Sequence, residues 1–166
     1  MWPSNEVYAG PSSKILTYPG INTFRIPNPI TVPAFSTSII SSWLPATQQQ
    51  SRAVTYTDPE FQINETGIYS ISATLKVSCN PGADLQLFAQ IRLLTDDPAR
   101  LLFQLDTREV NLSTPATLGR PSNSFTLHYT GWLAQSESLD ILLQNDSSAN
   151  VVVEISQTRM MVNRIN

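Results

Sequence analysis

The sequence predicts an all-β protein, an antiparallel two-sheet sandwich or a jelly roll. From Arg52 onward apolar and polar residues alternate with period two, the mark of strands that bury one face. Clusters of turn-forming residues divide these runs at short intervals. No stretch of 12 residues carries a helical 3.6 period with caps at its ends.

The first third of the chain differs from the rest. Six of the 12 prolines fall within residues 1–33, at Pro3, Pro11, Pro19, Pro27, Pro29 and Pro33. Proline fixes φ and removes a backbone donor, so residues 1–33 are expected to form an extended arm. Short edge pairings are expected at 23–26 and 30–32, and the jelly-roll domain over 34–166. An arm of this kind orders only by packing on its own domain or on a neighbour.

The strands then follow in order. Tyr69, Ile71, Ala73, Leu75 and Val77 alternate with Ser70, Ser72, Thr74 and Lys76. Leu85, Leu87, Ala89, Ile91 and Leu93 form the next run, then Leu101, Phe103 and Leu105. Phe125, Leu127, Tyr129 and Leu133 come next, followed by Leu139, Ile141 and Leu143, and by Val151, Val153 and Ile155. The turn signals are Asn80-Pro81-Gly82, Asp96-Asp97-Pro98, Gly119-Arg120-Pro121 and Asn145-Asp146-Ser147-Ser148. The expected core therefore includes Tyr69, Ile71, Leu75, Leu87, Ile91, Phe103, Phe125, Leu127, Tyr129, Ile141 and Val153. Phe88, Leu94, Leu102 and Trp132 fall on the faces that should be polar. Either loops of the same chain cover them or a second subunit does.

Composition narrows the function. Only 14% of the 166 residues are charged, and the net charge is −3. A nucleic-acid binder needs a basic footprint, and lysine occurs only at Lys14 and Lys76. One cysteine, Cys79, excludes an internal disulfide and a cysteine-rich metal site. No run of apolar residues is long enough for a membrane helix, and no secretory signal is expected at the N-terminus.

Nor is a catalytic residue, a metal or a cofactor expected. The single histidine, His128, lies between Leu127 and Tyr129 on a strand's outward face, without a nucleophile motif around it. Asp96 and Asp97 fit a turn, with calcium ligation the alternative. Asn64, Asn111 and Asn145 begin glycosylation-type tripeptides at about the number chance supplies. Arg159 and Arg164 read as charges on a solvated edge strand, with an acidic neighbour or a phosphate the alternative. Trp43 and Trp132 are the aromatic residues available for stacking on a sugar.

Residues Phe61 to Val77, with Gly67 and Tyr69 at the start of a long strand, resemble the corresponding strand of the tumour necrosis factor and complement globular-head superfamily. Phe125 to Leu143, containing Gly131, is similar to a later hairpin of that group. Asn22 to Pro27 and Ile30 to Val32 are similar to its phage and viral members. The resemblance implies a ten-strand jelly roll and a homotrimer. Phe88, Leu94, Leu102, His128 and Trp132 become candidates for the subunit contact. The expected role is a structural or attachment protein of a virus or phage particle, located in the virion. Its arm would dock onto other particle proteins, and its loops would face a host receptor or glycan. The alternative is a free-standing trimeric module at the cell surface, binding glycan or protein.

Overall fold

The computed structural model describes residues 21–46, 52–80, 86–94, 100–106 and 122–165. Thirteen strands among them form two antiparallel sheets, with no helix among the described residues. In chain order they are β1 (Ile21–Arg25), β2 (Ile30–Val32), β3 (Ser36–Ile39), β4 (Leu44–Pro45), β5 (Val54–Thr57), β6 (Glu60–Ile63) and β7 (Gly67–Cys79). β8 (Leu87–Leu94), β9 (Arg100–Asp106), β10 (Ser122–Leu133), β11 (Ser138–Asn145), β12 (Val151–Val153) and β13 (Arg159–Arg164) complete the sandwich.

The first sheet is built on β7, whose 13 residues take β10 along one edge and β12 and β13 along the other. Beyond these lie β2, paired with β12, and β1 with β4, paired through β13. The second sheet runs β5-β6-β11-β8-β9, with β3 also on β11. Strict alternation along β7 sends Tyr69, Ile71, Ala73, Leu75 and Val77 inward. They meet Leu87, Ile91, Leu139, Ile141 and Leu143 of the second sheet, and Leu127 and Val153 join them. Each valine, leucine or isoleucine among them contributes about 1.5–3 kcal/mol on burial.

Tyr69, Ile71, Leu75, Leu87, Ile91, Leu127, Ile141 and Val153 are all buried. Tyr129 packs against this core as well. It is only partly buried against the core, because it sits on β10, which has β7 on one side and no described strand on the other. Its ring also lies over Gly131, where an added Cβ would come within 2.2 Å of the phenol oxygen. Phe103 and Phe125 lie on β9 and β10, opposite Ile91 and Leu75, with side chains outside the described part.

The proline-rich stretch reaches well into the sandwich. β1 lies between β13 and β4, and β2 pairs with β12. The chain can do this because Pro27, Pro29 and Pro33 fall between or after these strands, where no ladder donor is needed. Phe24, Ile26, Val32, Ile40 and Trp43 are buried in consequence. Phe24 meets Phe61 edge-on at 4.9 Å between ring centroids, and Tyr56 and Trp43 pack on the same ring. Trp43 is 2% exposed and its indole donates to the Ile40 carbonyl at 2.7 Å, so it offers no sugar-stacking surface. Residues 1–20, where the rest of the arm falls, lie outside the described part.

A polar staple closes this end. Asp58 accepts from the Tyr56 hydroxyl and, at 2.7 Å, from the Ser42 amide, which ties the segment before β4 to the β5–β6 turn. These bonds, first that from Tyr56, hold the Asp58 carboxyl below the ordinary carboxylate range. Burial and then the Asp58 bond raise the Tyr56 phenol well above its usual value. The sign follows from each direction. Asp58 adds stability above the ordinary carboxylate pKa of about 4, and this fades as pH falls through its lower folded value. Tyr56 adds stability below pH of about 10, lost only as pH rises through its raised folded value. Melting curves should therefore show wild type above Asp58→Asn by a constant margin from pH 5 to 8. The margin should narrow below pH of about 4. A margin unchanged down to pH 2 would show that the carboxylate charge does not matter here.

Candidate subunit-contact face

The outward face of the first sheet is assembled from alternate residues of β7, β10 and β13. On β10 these are Ser122, Ser124, Thr126, His128, Thr130 and Trp132, all exposed. Opposite them on β7 stand Ile68, Ser70, Ser72, Thr74 and Lys76, half-buried by their neighbours. Met161 and Asn163 of β13 extend the rows at Ser72 and Ser70, and exposed Arg159 does so at Thr74. Directly paired residues of an antiparallel ladder share a face, so these rows are real neighbours. Thr74 and Thr126 hydrogen-bond across the ladder at 2.9 Å.

The face ends in an apolar row. Trp132, 61% exposed, stands opposite Ile68. Beyond Ile68 comes exposed Ile165, whose amide donates to the Ile68 carbonyl at 2.7 Å. The face is rich in hydroxyls, carries Lys76 and Arg159 among them, and ends in a solvated tryptophan, the apolar group a partner surface would cover. His128 lies near its middle with Nε2 3.1 Å from the Thr130 hydroxyl.

The other expected contact residues are elsewhere. Phe88 and Leu94 project from β8 on the outward face of the second sheet, on the opposite side of the sandwich from Trp132 and His128. One planar contact cannot take both pairs. Phe88 is 8% exposed, so it is already covered within the protomer, and Leu94 is half-buried. Leu102 lies on β9 at the register shift opposite Ile91 and Arg92, its side chain outside the described part.

On the same face as Phe88 and Leu94 lies an ion pair that no local pattern announces. Arg92 and Asp140 are cross-strand partners on β8 and β11. The guanidinium donates through Nε to Oδ1 at 2.8 Å and through a second nitrogen to Oδ2. That bond raises the Arg92 pKa further above its already high value.

The remaining candidates have structural partners. Arg164 binds Glu65 at 2.7 Å and the Thr66 carbonyl at 3.0 Å. It lies on β13, between β7 and β1, so the solvated-edge expectation for Arg159 and Arg164 is corrected. Asn145 is fully buried and its amide donates to Val32, Pro33 and Ala149, which leaves no room for a glycan. Asn64 donates to the Arg52 carbonyl and the Thr55 hydroxyl. Asp96, Asp97 and Asn111 lie outside the described residues. An open hollow of about 300 Å³ between β6 and the β10–β11 turn is lined by Gln62, Ile63, Asn64, Gln135, Ser136 and Ser138. These are amides, hydroxyls and one aliphatic chain, none of them a general base. Among the described residues no group of three or more His, Cys, Asp or Glu could hold a metal ion. No described helix is long and apolar enough to cross a membrane.

Solved structures give the architecture its name. Murine APRIL at pH 5.0 matches with a TM-score of 0.63 at 12% identity, over 87% of this chain and 98% of that one. Its pH 8.0 form gives 0.62 over the same shares, also at 12% identity. Eiger TNF from S. frugiperda gives 0.61 at 14% identity, over 88% and 92%. The fold is a tumour necrosis factor-like jelly roll. No protein-family model matches the sequence, and no curated protein does. At these identities the likeness is one of fold.

Proposed function

We propose that this tumour necrosis factor-like chain is a non-enzymatic homotrimer, acting as a structural or attachment part of a virus or phage particle. The observation that carries the trimer is the outward face of the first sheet, where neutral hydroxyls end in the row Trp132, Ile68 and Ile165. An exposed tryptophan beside two isoleucines gains most from a partner surface, and a closed threefold ring satisfies three such faces at once. Low charge and a proline-rich first third support a part that packs among neighbours, residues 1–20 docking it to other particle proteins. A host receptor or glycan would be met by the loops.

The likeness to Eiger TNF and APRIL supports a second reading, a free-standing trimeric binding module outside the cell or at its surface. Light scattering after size-exclusion chromatography tests the trimer common to both. A mass of three times the 18.4 kDa chain is expected, and a clean monomer at micromolar concentration overturns it. Co-sedimentation with particles in the native source separates the two readings.

A further inference from the structure

The turn between β2 and β3 presents Phe35 to solvent in a way the protomer alone does not explain. Its side chain is 74% exposed, the largest value among the described large hydrophobic residues. A lone exposed apolar residue is ordinary. Phe35 also has φ of 52°, in the left-handed region, where a bulky side chain is an outlier and glycine or asparagine is favoured. The other described non-glycine residues with positive φ are Ser42, Ser136 and Gln157, all polar.

The turn is held in this conformation from several sides. The Phe35 amide donates to the Ser147 carbonyl at 3.2 Å, and the Ala34 amide to Asn150 Oδ1 at 3.0 Å. Ser36 Oγ donates to the Pro33 carbonyl at 2.7 Å. Buried Asn145 donates to the carbonyls of Val32 and Pro33 and accepts from the Ser147 amide. The backbone is therefore fixed by others, and the ring is carried outward on it. Strain of this kind persists where the surroundings over-determine it, and it collects at binding sites.

The surroundings indicate the ligand's chemistry. Residues 33–39 and 147–153 contain no charged side chain. The bonds just given set Asn150 and Ser147 against the backbone of the turn that carries the ring. Asn150 spends its carbonyl on Ala34, which leaves its NH₂ donors without a partner among the described residues. Ser148 is exposed with its hydroxyl in the same position. An aromatic ring on a fixed backbone, with neutral amide and hydroxyl groups on the neighbouring segment, suits a ligand with apolar C–H faces and hydroxyl edges.

We propose that Phe35 is the stacking platform of a neutral-saccharide site, with Asn150 and Ser148 as its hydrogen-bonding groups. The site is complete within one protomer, so it does not depend on the trimer.

Saturation-transfer NMR on the full chain tests this, with neutral oligosaccharide probes ending in galactose, glucose, mannose or N-acetylglucosamine. Transfer to C–H protons of at least one probe is expected. It should fall at least tenfold in Phe35→Gly and in Phe35→Asn, and survive in Phe35→Trp. Both Gly and Asn suit a left-handed backbone, so each variant should melt at or above the wild-type temperature. Silence from every probe, or transfer that persists in Phe35→Gly, overturns the site. Lower melting temperatures in both variants would show that the ring serves the fold, and would overturn it equally. Loss of a protein partner in Phe35→Gly, with no probe bound, would assign the ring to protein contact instead.

Discussion

Asp140→Ala should lower the unfolding free energy by about 3 kcal/mol and the melting temperature by about 6–12 °C. Asp140 is 1% exposed although it points away from the core, and both its oxygens are taken by Arg92. Removing it leaves a guanidinium with no counter-ion on the outward face of the second sheet, between Leu94 and Leu142 in the register. Arg92 keeps 24% of its side chain open, so water can solvate part of the stranded charge. That puts the cost at the low end of the 3–5 kcal/mol typical of broken buried pairs. The pair itself is worth less than its removal suggests, because both charges were desolvated to form it. The double variant Arg92→Leu with Asp140→Leu should therefore recover most of the loss. Urea melts of the two single variants and the double would read this coupling directly. Single variants within 0.5 kcal/mol of wild type would show that the pair is solvated and holds nothing.

How much of this was legible in the sequence depends on which interactions are local. Period two along Gly67–Cys79 places Tyr69, Ile71 and Leu75 inward without any knowledge of partners, since alternation reports burial directly. It reports only that Phe88 and Trp132 point outward. It cannot say that they lie on opposite sides of the sandwich, because that is set by strand order. The buried group Phe24, Ile26, Val32, Ile40 and Trp43 was hidden by the prolines around it. Read as a run, Pro27, Pro29 and Pro33 suggest an arm, yet each sits where a strand has already ended. Arg92 and Asp140 meet across 48 positions through register alone, and nothing near either residue signals the other. Phe35 carries no turn signal of its own. Its left-handed backbone is imposed by Asn145, Ser147 and Asn150, more than a hundred residues later.

Trp132→Arg should convert the proposed trimer to monomer while the circular dichroism of the β-sandwich stays the same. The side chain is 61% exposed in the protomer, so its loss takes nothing from the core, and β10 keeps its full ladder with β7. Between subunits the balance is different. A tryptophan buried in a contact commonly carries 2 kcal/mol or more, and a guanidinium buried there without a partner adds a desolvation cost. A closed ring repeats the loss at three contacts, about 6 kcal/mol or more in all. That shifts assembly by more than a thousandfold, well beyond a partial effect in light scattering. Phe88→Arg is the matched comparison. Phe88 is already covered within its own protomer, so a charge there should lower the melting temperature first, whatever happens to assembly. If Trp132→Arg remains a trimer while Phe88→Arg dissociates without loss of stability, the contact belongs to the second sheet. The hydroxyl face of the first would then be free to meet a different partner.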